Sequence, residues 1–301
     1  MKSTVGIAGT GVWAQRVHLP ALAAHPDVTL AGIWGRDQAK TRAIGDQLGI
    51  RVFDRYDQLL EAVDIIDLAI VPGLQPEYGL QAAEAGCHLM LEKPAGTDAA
   101  SVKALHQAIT SHDLAATVFL GRFFDSERLP WLEAHAIRPW EHARAEWIAS
   151  SFLAGNAFAG PWRDQAGALY DVGPHILSQL DFLLGPVTDF TISNWDAEGD
   201  LALAFHHESG ATSDVLINVH TAVDQTREGL VLTGPGESAL SPHSPINHGL
   251  AFSAMIDHLL AQIRHAETND SITRMTGTGA ALRHVELMER IHAAAPQAAA
   301  H

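Results

Sequence analysis

Cysteine, lysine and long apolar runs are all scarce in this chain, and each shortage removes a class of protein. A single cysteine, Cys87, leaves no internal disulfide framework. No apolar stretch approaches the roughly 20 residues of a membrane span. The opening MKSTVGIAGTG enters a strand almost at once, without the basic, apolar and cleavage regions of a secretory leader. Together these readings predict a cytoplasmic protein with no membrane partner. Positive charge is short as well: 19 Lys and Arg stand against 35 Asp and Glu, a net charge of −16. That argues against a nucleic-acid partner, which needs basic patches. Lysine occurs only at Lys2, Lys40, Lys93 and Lys103. A lysine at the end of an apolar strand therefore asks for more than solvation as its explanation.

What is present is a folded composition, 47% hydrophobic and 18% charged over 301 residues. Single cores stop growing near ~250–300 residues, so two domains are expected. Residues 5–9, 28–34, 51–53, 65–71, 87–91 and 115–120 read as short apolar strands. Helical stretches at 12–25 (with a break at Pro20), 38–48, 56–61, 76–85 and 99–111 alternate with them. Continuous apolar strands separated by helices predict a parallel sheet covered on both faces, a doubly wound α/β domain over residues 1–120. After a linking helix and turn at 125–140 the rhythm changes. Strand candidates at 143–150, 188–195, 201–206, 213–220 and 229–233 are joined mostly by short turns, which implies antiparallel pairing. Helices are expected at 167–184, 252–265 and 277–292. Residues 121–301 thus read as an α+β domain with an open, mostly antiparallel sheet.

Between the first strand and the first helix, Gly9, Thr10, Gly11, Val12, Trp13 and Ala14 fit G-x-G-x-x-A. The first glycine permits the tight turn, the second lets backbone approach a pyrophosphate, and the small last residue lets helix and strand pack closely. The alternative is a plain strand-to-helix turn, and the sheet that follows favours the dinucleotide. The end of the second strand bears on which one. Gly35 stands where a carboxylate would hold the ribose 2′-OH of NAD, and Arg36 follows. An arginine there can grip a 2′-phosphate, which favours NADP. Asp37 still leaves NAD open, and Arg36 could simply be solvated.

Ligands of open parallel sheets sit beyond the carboxyl ends of the strands. Val71 and Pro72 lie at one such end. Glu92 and Lys93, closing LMLEKPAG, lie at another, which sets a site against a plain surface ion pair. Farther on, Asp171 and His175 in YDVGPH are four apart and share a helical face. A histidine can exchange a proton with a hydroxyl as hydride moves, and an aspartate can orient it. A capping aspartate with an incidental histidine is the plainer reading of the same residues. The other histidines form no H-E-x-x-H or cysteine cluster, so no metal is expected.

These stretches resemble the Gfo/Idh/MocA family, the glucose-fructose oxidoreductase and inositol dehydrogenase-like enzymes. The resemblance runs through the glycine loop with HLPAL at 18–22, AAEAGCHLMLEKPAG at 82–96, WRDQAGALYDVGPH at 162–175 and the tail at 277–295. It implies a Rossmann domain followed by an α+β domain whose open sheet mediates self-association, as a homodimer or homotetramer. It implies that Lys93 contacts cofactor and substrate, and that a cis bond precedes Pro94. It implies further that Asp171 and His175 face the nicotinamide, with His175 as general acid/base. Trp162 and Arg163 match a W-R element near cofactor or substrate. Two departures stand out. The loop after Pro72 lacks the family's asparagine and histidine, and Gln165-Ala166-Gly167 replaces a triple glycine. The expectation is an NAD(P)-dependent oxidoreductase acting on a sugar, polyol or related small molecule. The competing expectations are a dinucleotide-sensing regulator without turnover and an NAD-dependent glycosidase.

Overall fold

The computed structural model describes residues 2–136, 138–153, 155, 161–195, 200–243, 245–265 and 269–295; of 161 and 163–166 it describes the backbone alone. The chain forms two compact units, Met1–Phe124 with Ile246–Leu282, and Asp125–Pro245 with Arg283–His301.

The first unit alternates strand and helix: β1 (Ser3–Ala8), α1 (Leu19–Ala24), β2 (Val28–Trp34), α2 (Gln38–Leu48), β3 (Arg51–Val52), α3 (Tyr56–Leu60), β4 (Ile65–Leu68), α4 (Gln75–Glu84), β5 (His88–Leu91), α5 (Ala99–Ser111) and β6 (Ala116–Val118). The strands pair in parallel in the order β3-β2-β1-β4-β5-β6, the doubly wound arrangement expected from the sequence. Helices on both faces explain the unbroken apolar runs. Ile65, Ile66, Leu68, Leu89 and Met90 are wholly buried. Cys87 belongs to this core, and burial pushes its thiol up to about 11. Asp37 caps α2 and Asp98 caps α5, each accepting backbone N–H bonds of the first turn.

The second unit holds α6 (Arg128–Ala136), β7 (His142–Ile148), α7 (Pro161–Leu184), β8 (Val187–Trp195), β9 (Leu201–His207), β10 (Thr212–Asn218), β11 (Arg227–Gly234) and β12 (Glu237–Leu240). Its sheet runs β12-β11-β7-β10-β9-β8 and is antiparallel except where β7 and β10 pair in parallel. Strands β9 and β10 alternate buried and less buried residues, with Leu203, Phe205, Val215 and Ile217 inward. The backbone of α7 breaks at Gly167, whose φ of 72° suits glycine, and continues as the helix expected at 167–184.

Three sequence readings are corrected. The expected helix at 12–25 does not break at Pro20. Its middle is a π-helical turn, Ala14–His18, and Pro20 sits in the first turn of α1, where its missing N–H costs nothing. The polar edge strand β12 went unseen because ESAL carries no apolar alternation. The division into 1–120 and 121–301 also misassigns a segment. α8 (His248–Ile263) and α9 (Asp270–Thr276) belong to the first unit, because their apolar faces cover it. Phe252 of α8 packs on His18 with ring centroids 4.1 Å apart. The last helix, α10, runs Thr278–Ala294.

Candidate active site

In the first unit the loops after β1, β4 and β5 share the carboxyl edge of the sheet, and β1 beside β4 is its switch point. Gly9, at φ 137°, has no room for a side chain, since a Cβ there would lie 2.1 Å from the carbonyl oxygen of Ala69. A Cβ on Gly11 would meet nothing within 4 Å, so backbone is open to a ligand at that point. Thr10 and Val12 flank it, and Ala14 is buried beneath. The loop fits a pyrophosphate. Gly35 is also obligatory: its Cβ would stand 2.7 Å from Thr41 Oγ1 and 2.8 Å from Thr10 Cγ2. Arg36 beside it is exposed, and Asp37 spends its carboxylate on the Lys40 N–H at 3.0 Å. Trp34 closes this end of β2 in a cluster with Tyr56 and Tyr78, ring centroids 5.2 and 5.3 Å away.

At the end of β5 the charged corner is held from several sides, and the Lys93–Pro94 bond is cis, as the resemblance implied. Gln75, wholly buried, donates from Nε2 to the carbonyls of Glu92 and Pro94, both at 2.8 Å, and accepts the Glu92 N–H at 2.7 Å. The Glu92 carboxylate accepts from Trp13 Nε1 at 2.7 Å and from the Lys93 N–H at 3.1 Å. It also meets His18 Nε2 at 2.9 Å, while His18 Nδ1 lies 2.8 Å from Asp67 Oδ2. Burial alone would lower His18, but Asp67 and Glu92 outweigh it and raise the ring from 6.5 to about 9. Burial raises the Asp67 carboxyl against the pull of His18. Asp67 Oδ1 is buried without a hydrogen-bond partner among the described residues.

Val71 and Pro72 lie on the same edge, Pro72 opening a 3₁₀ turn that leads into α4. That loop lacks the family's asparagine and histidine, yet it supplies Gln75. Neither Gln75 nor the bridging role of His18 was legible, because their bonds reach 17 to 74 positions along the chain.

In the second unit Asp171 is buried and His175 half-buried, one turn apart on α7. The His175 ring stacks on Trp147 of β7, centroids 5.4 Å apart and planes within 9°. The carbonyl of His175 accepts from Gln179 Nε2 at 2.8 Å, and Gln179 in turn accepts from the buried Arg128 at 2.7 Å. Gly173 is closely packed: a Cβ would come within 3.1 Å of Met288 Sδ, so a larger residue there would make the methionine shift. Trp147 was missed, since a tryptophan in an alternating strand reads only as core. Trp162 is half-buried, and the Arg163 side chain lies outside the described residues. Among the described residues no cluster of three or more His, Cys, Asp or Glu could hold a metal ion. No helix among them is long and apolar enough to cross a membrane.

The profile of the Gfo/Idh/MocA family, an oxidoreductase family with an NAD-binding Rossmann fold, matches residues 3–120. Through this stretch the chain is similar to the NAD-binding Rossmann domain of that oxidoreductase family. Among curated relatives, dTDP-3,4-didehydro-2,6-dideoxy-alpha-D-glucose 3-reductase of Streptomyces violaceoruber is 33% identical over 190 residues, 60% of this chain and 54% of the relative. D-xylose 1-dehydrogenase (NADP(+)) 2 of Haloferax volcanii is 36% identical over 93 residues, 30% of this chain and 28% of the relative. The chain spans about half the length of the first curated relatives it matches. Apo scyllo-inositol dehydrogenase from Lactobacillus casei superposes with a TM-score of 0.82 at 14% identity, covering 96% of this chain and 94% of that one. UDP-N-acetylglucosamine 3-dehydrogenase GnnA from Acidithiobacillus ferrooxidans gives 0.80 at 16% identity and 98% of each chain. At such identities the likeness is one of fold alone, and it covers nearly the whole chain.

Proposed function

We propose that this protein moves a hydride between the nicotinamide of NAD(P) and a carbinol or carbonyl carbon of a sugar, polyol or related small molecule. The observation that carries this is the braced Glu92–Lys93–Pro94 corner on the same sheet edge as a glycine loop open at Gly11. The sugar-named relatives support the substrate class. When bound, the nicotinamide supplies or accepts the hydride. The backbone of 9–14 cradles the pyrophosphate, with Val71, Pro72, Trp162 and Arg163 as further contacts to the cofactor. Lys93 polarises the reacting oxygen, His175 takes or returns the hydroxyl proton, and Asp171 orients substrate or joins the proton relay.

NADP is the favoured cofactor. Gly35 leaves no space for a ribose-binding carboxylate, Asp37 is committed to its helix, and exposed Arg36 can meet a 2′-phosphate. Self-association as a dimer or tetramer runs through the outer face of the second sheet. Half-exposed Ala202, Ala204 and Leu216 support it.

The test is a screen of sugars, polyols and their carbonyl forms with each cofactor, following the absorbance of the reduced nicotinamide. Lys93→Ala and His175→Ala should each lower turnover of the substrate found by about a hundredfold or more. Near-normal rates would refute their roles. NADPH binding without any turnover would favour the regulator.

A further inference from the structure

His18 has a bonding pattern that the functional reading leaves unused. It is wholly buried, and both ring nitrogens face carboxylate oxygens, at 2.8 and 2.9 Å. Each of those contacts needs a proton. A neutral imidazole brings one N–H, so the network must hold a second, on the ring or on a carboxyl. The groups packed on the ring are Asp67 of β4, Glu92 after β5, Phe119 after β6 and Phe252 of α8; the two phenylalanines bring no charge. The ring has no exposed surface, and the partners its nitrogens meet among the described residues are two acids.

We propose that His18 is a positioning residue for the reaction: doubly protonated between Asp67 and Glu92, it fixes the corner from which Lys93 acts and ties that corner to the glycine loop. This rests on the role given to Lys93 above. The tie is the Glu92 carboxylate. One of its oxygens takes both the His18 and the Trp13 N–H, and the other takes the Lys93 backbone N–H. Trp13 is a residue of the glycine loop, so one carboxylate joins the cofactor cradle to the catalytic lysine. Without its proton, His18 opposes Glu92 with a lone pair, and both ends of that join loosen together. The π-helical turn Ala14–His18 is what carries the ring from the loop to the two acids.

The test uses the full chain and NADPH as probe. Wild-type Kd should stay level to about pH 9 and then rise roughly tenfold per pH unit, the slope for loss of one required proton. His18→Gln should show a Kd already raised roughly tenfold at neutral pH, with no inflection near pH 9. The lysines serve as an internal control. After labelling by reductive ¹³C-methylation, the Lys93 resonance should move in His18→Gln while those of Lys2, Lys40 and Lys103 stay in place. Wild-type Kd, pH profile and Lys93 resonance in this variant would overturn the proposal. If Lys93→Ala abolishes turnover and His18→Gln changes nothing, only the positioning role fails; if Lys93→Ala is harmless, the functional reading fails first. Should His18→Gln not fold, ¹⁵N-histidine spectra of the wild type decide. Two bridging protons on one buried ring at neutral pH support the proposal, and a ring with a single bridging proton overturns it.

Discussion

Single residues carry the sharpest constraints in this molecule. Gly9 combines a φ of 137° with a carbonyl oxygen 2.1 Å from where its Cβ would be. Gly9→Ala should cost on the order of 3 kcal/mol in a urea titration, through strain and displacement of Ala69. Gln75 satisfies two buried carbonyls and one buried N–H. Gln75→Leu strands them, and each stranded group costs about 1–3 kcal/mol, so lowered stability should accompany weaker NADPH binding. Arg36→Ala tests the cofactor preference. A charge-assisted bond contributes about 1.5–3 kcal/mol, so NADPH Kd should rise roughly ten- to hundredfold while NADH Kd barely changes. Equal losses for the two cofactors would sink NADP. At this scale the glycines and Lys93 were legible because their motifs are spacings along the chain. Gln75, Trp147 and the partners of His18 were not, because their meaning lies in contacts that only the fold creates.

Elements turn these residues into geometry. Strand β7 delivers Trp147 and helix α7 delivers His175, and the two rings lie flat on one another. A flat aromatic neighbour restricts the imidazole to one plane, and in the role proposed for His175 small misplacements would be costly. Trp147→Leu should lower kcat roughly tenfold with NADPH binding unchanged, and Trp147→Phe should keep most of the rate. Equal rates in all three proteins would show that the stacking is only packing. Most elements were readable from periodicity, the six parallel strands best of all, because burial on both faces leaves unbroken apolar runs. Periodicity fails where packing does not set the residues. β12 is a polar edge, and the π-helical turn looks like any helix by composition.

The whole molecule is made of two units, and the chain revisits the first. No composition shift near 246 announces the return; it shows only in which surface the apolar face of α8 covers. Ala251, Phe252, Met255, Ile256 and Leu259 are buried there. Residues 1–124 expressed alone should therefore lack a cooperative melt, and adding 246–282 through a flexible linker should restore it. Stability should also depend on pH in both directions. His18, raised to about 9, stabilises fully below its unfolded value of 6.5, and that contribution is lost as pH climbs through about 9. Burial lowers His88, His207 and His258 below 6.5, so the unfolded chain gains protons first and stability falls as pH drops under that value. A melting-temperature profile should therefore peak near pH 6.5 and decline on each side, the alkaline decline running up to about pH 9. A flat profile from pH 6 to 10 would contradict the buried ionic network.

The packing around Gly35 has a consequence for how such a protein could change over generations. An acidic residue at 35, the simplest route to a ribose-binding carboxylate, would collide with Thr10 and Thr41. Trimming either threonine first gains nothing and loosens the loop and the start of α2. The two changes are each harmful alone and useful only together, so single steps do not lead from one coenzyme to the other. Variant libraries that randomise positions 10, 35 and 41 jointly should yield NADH-using descendants, whereas libraries of position 35 alone should yield misfolded ones.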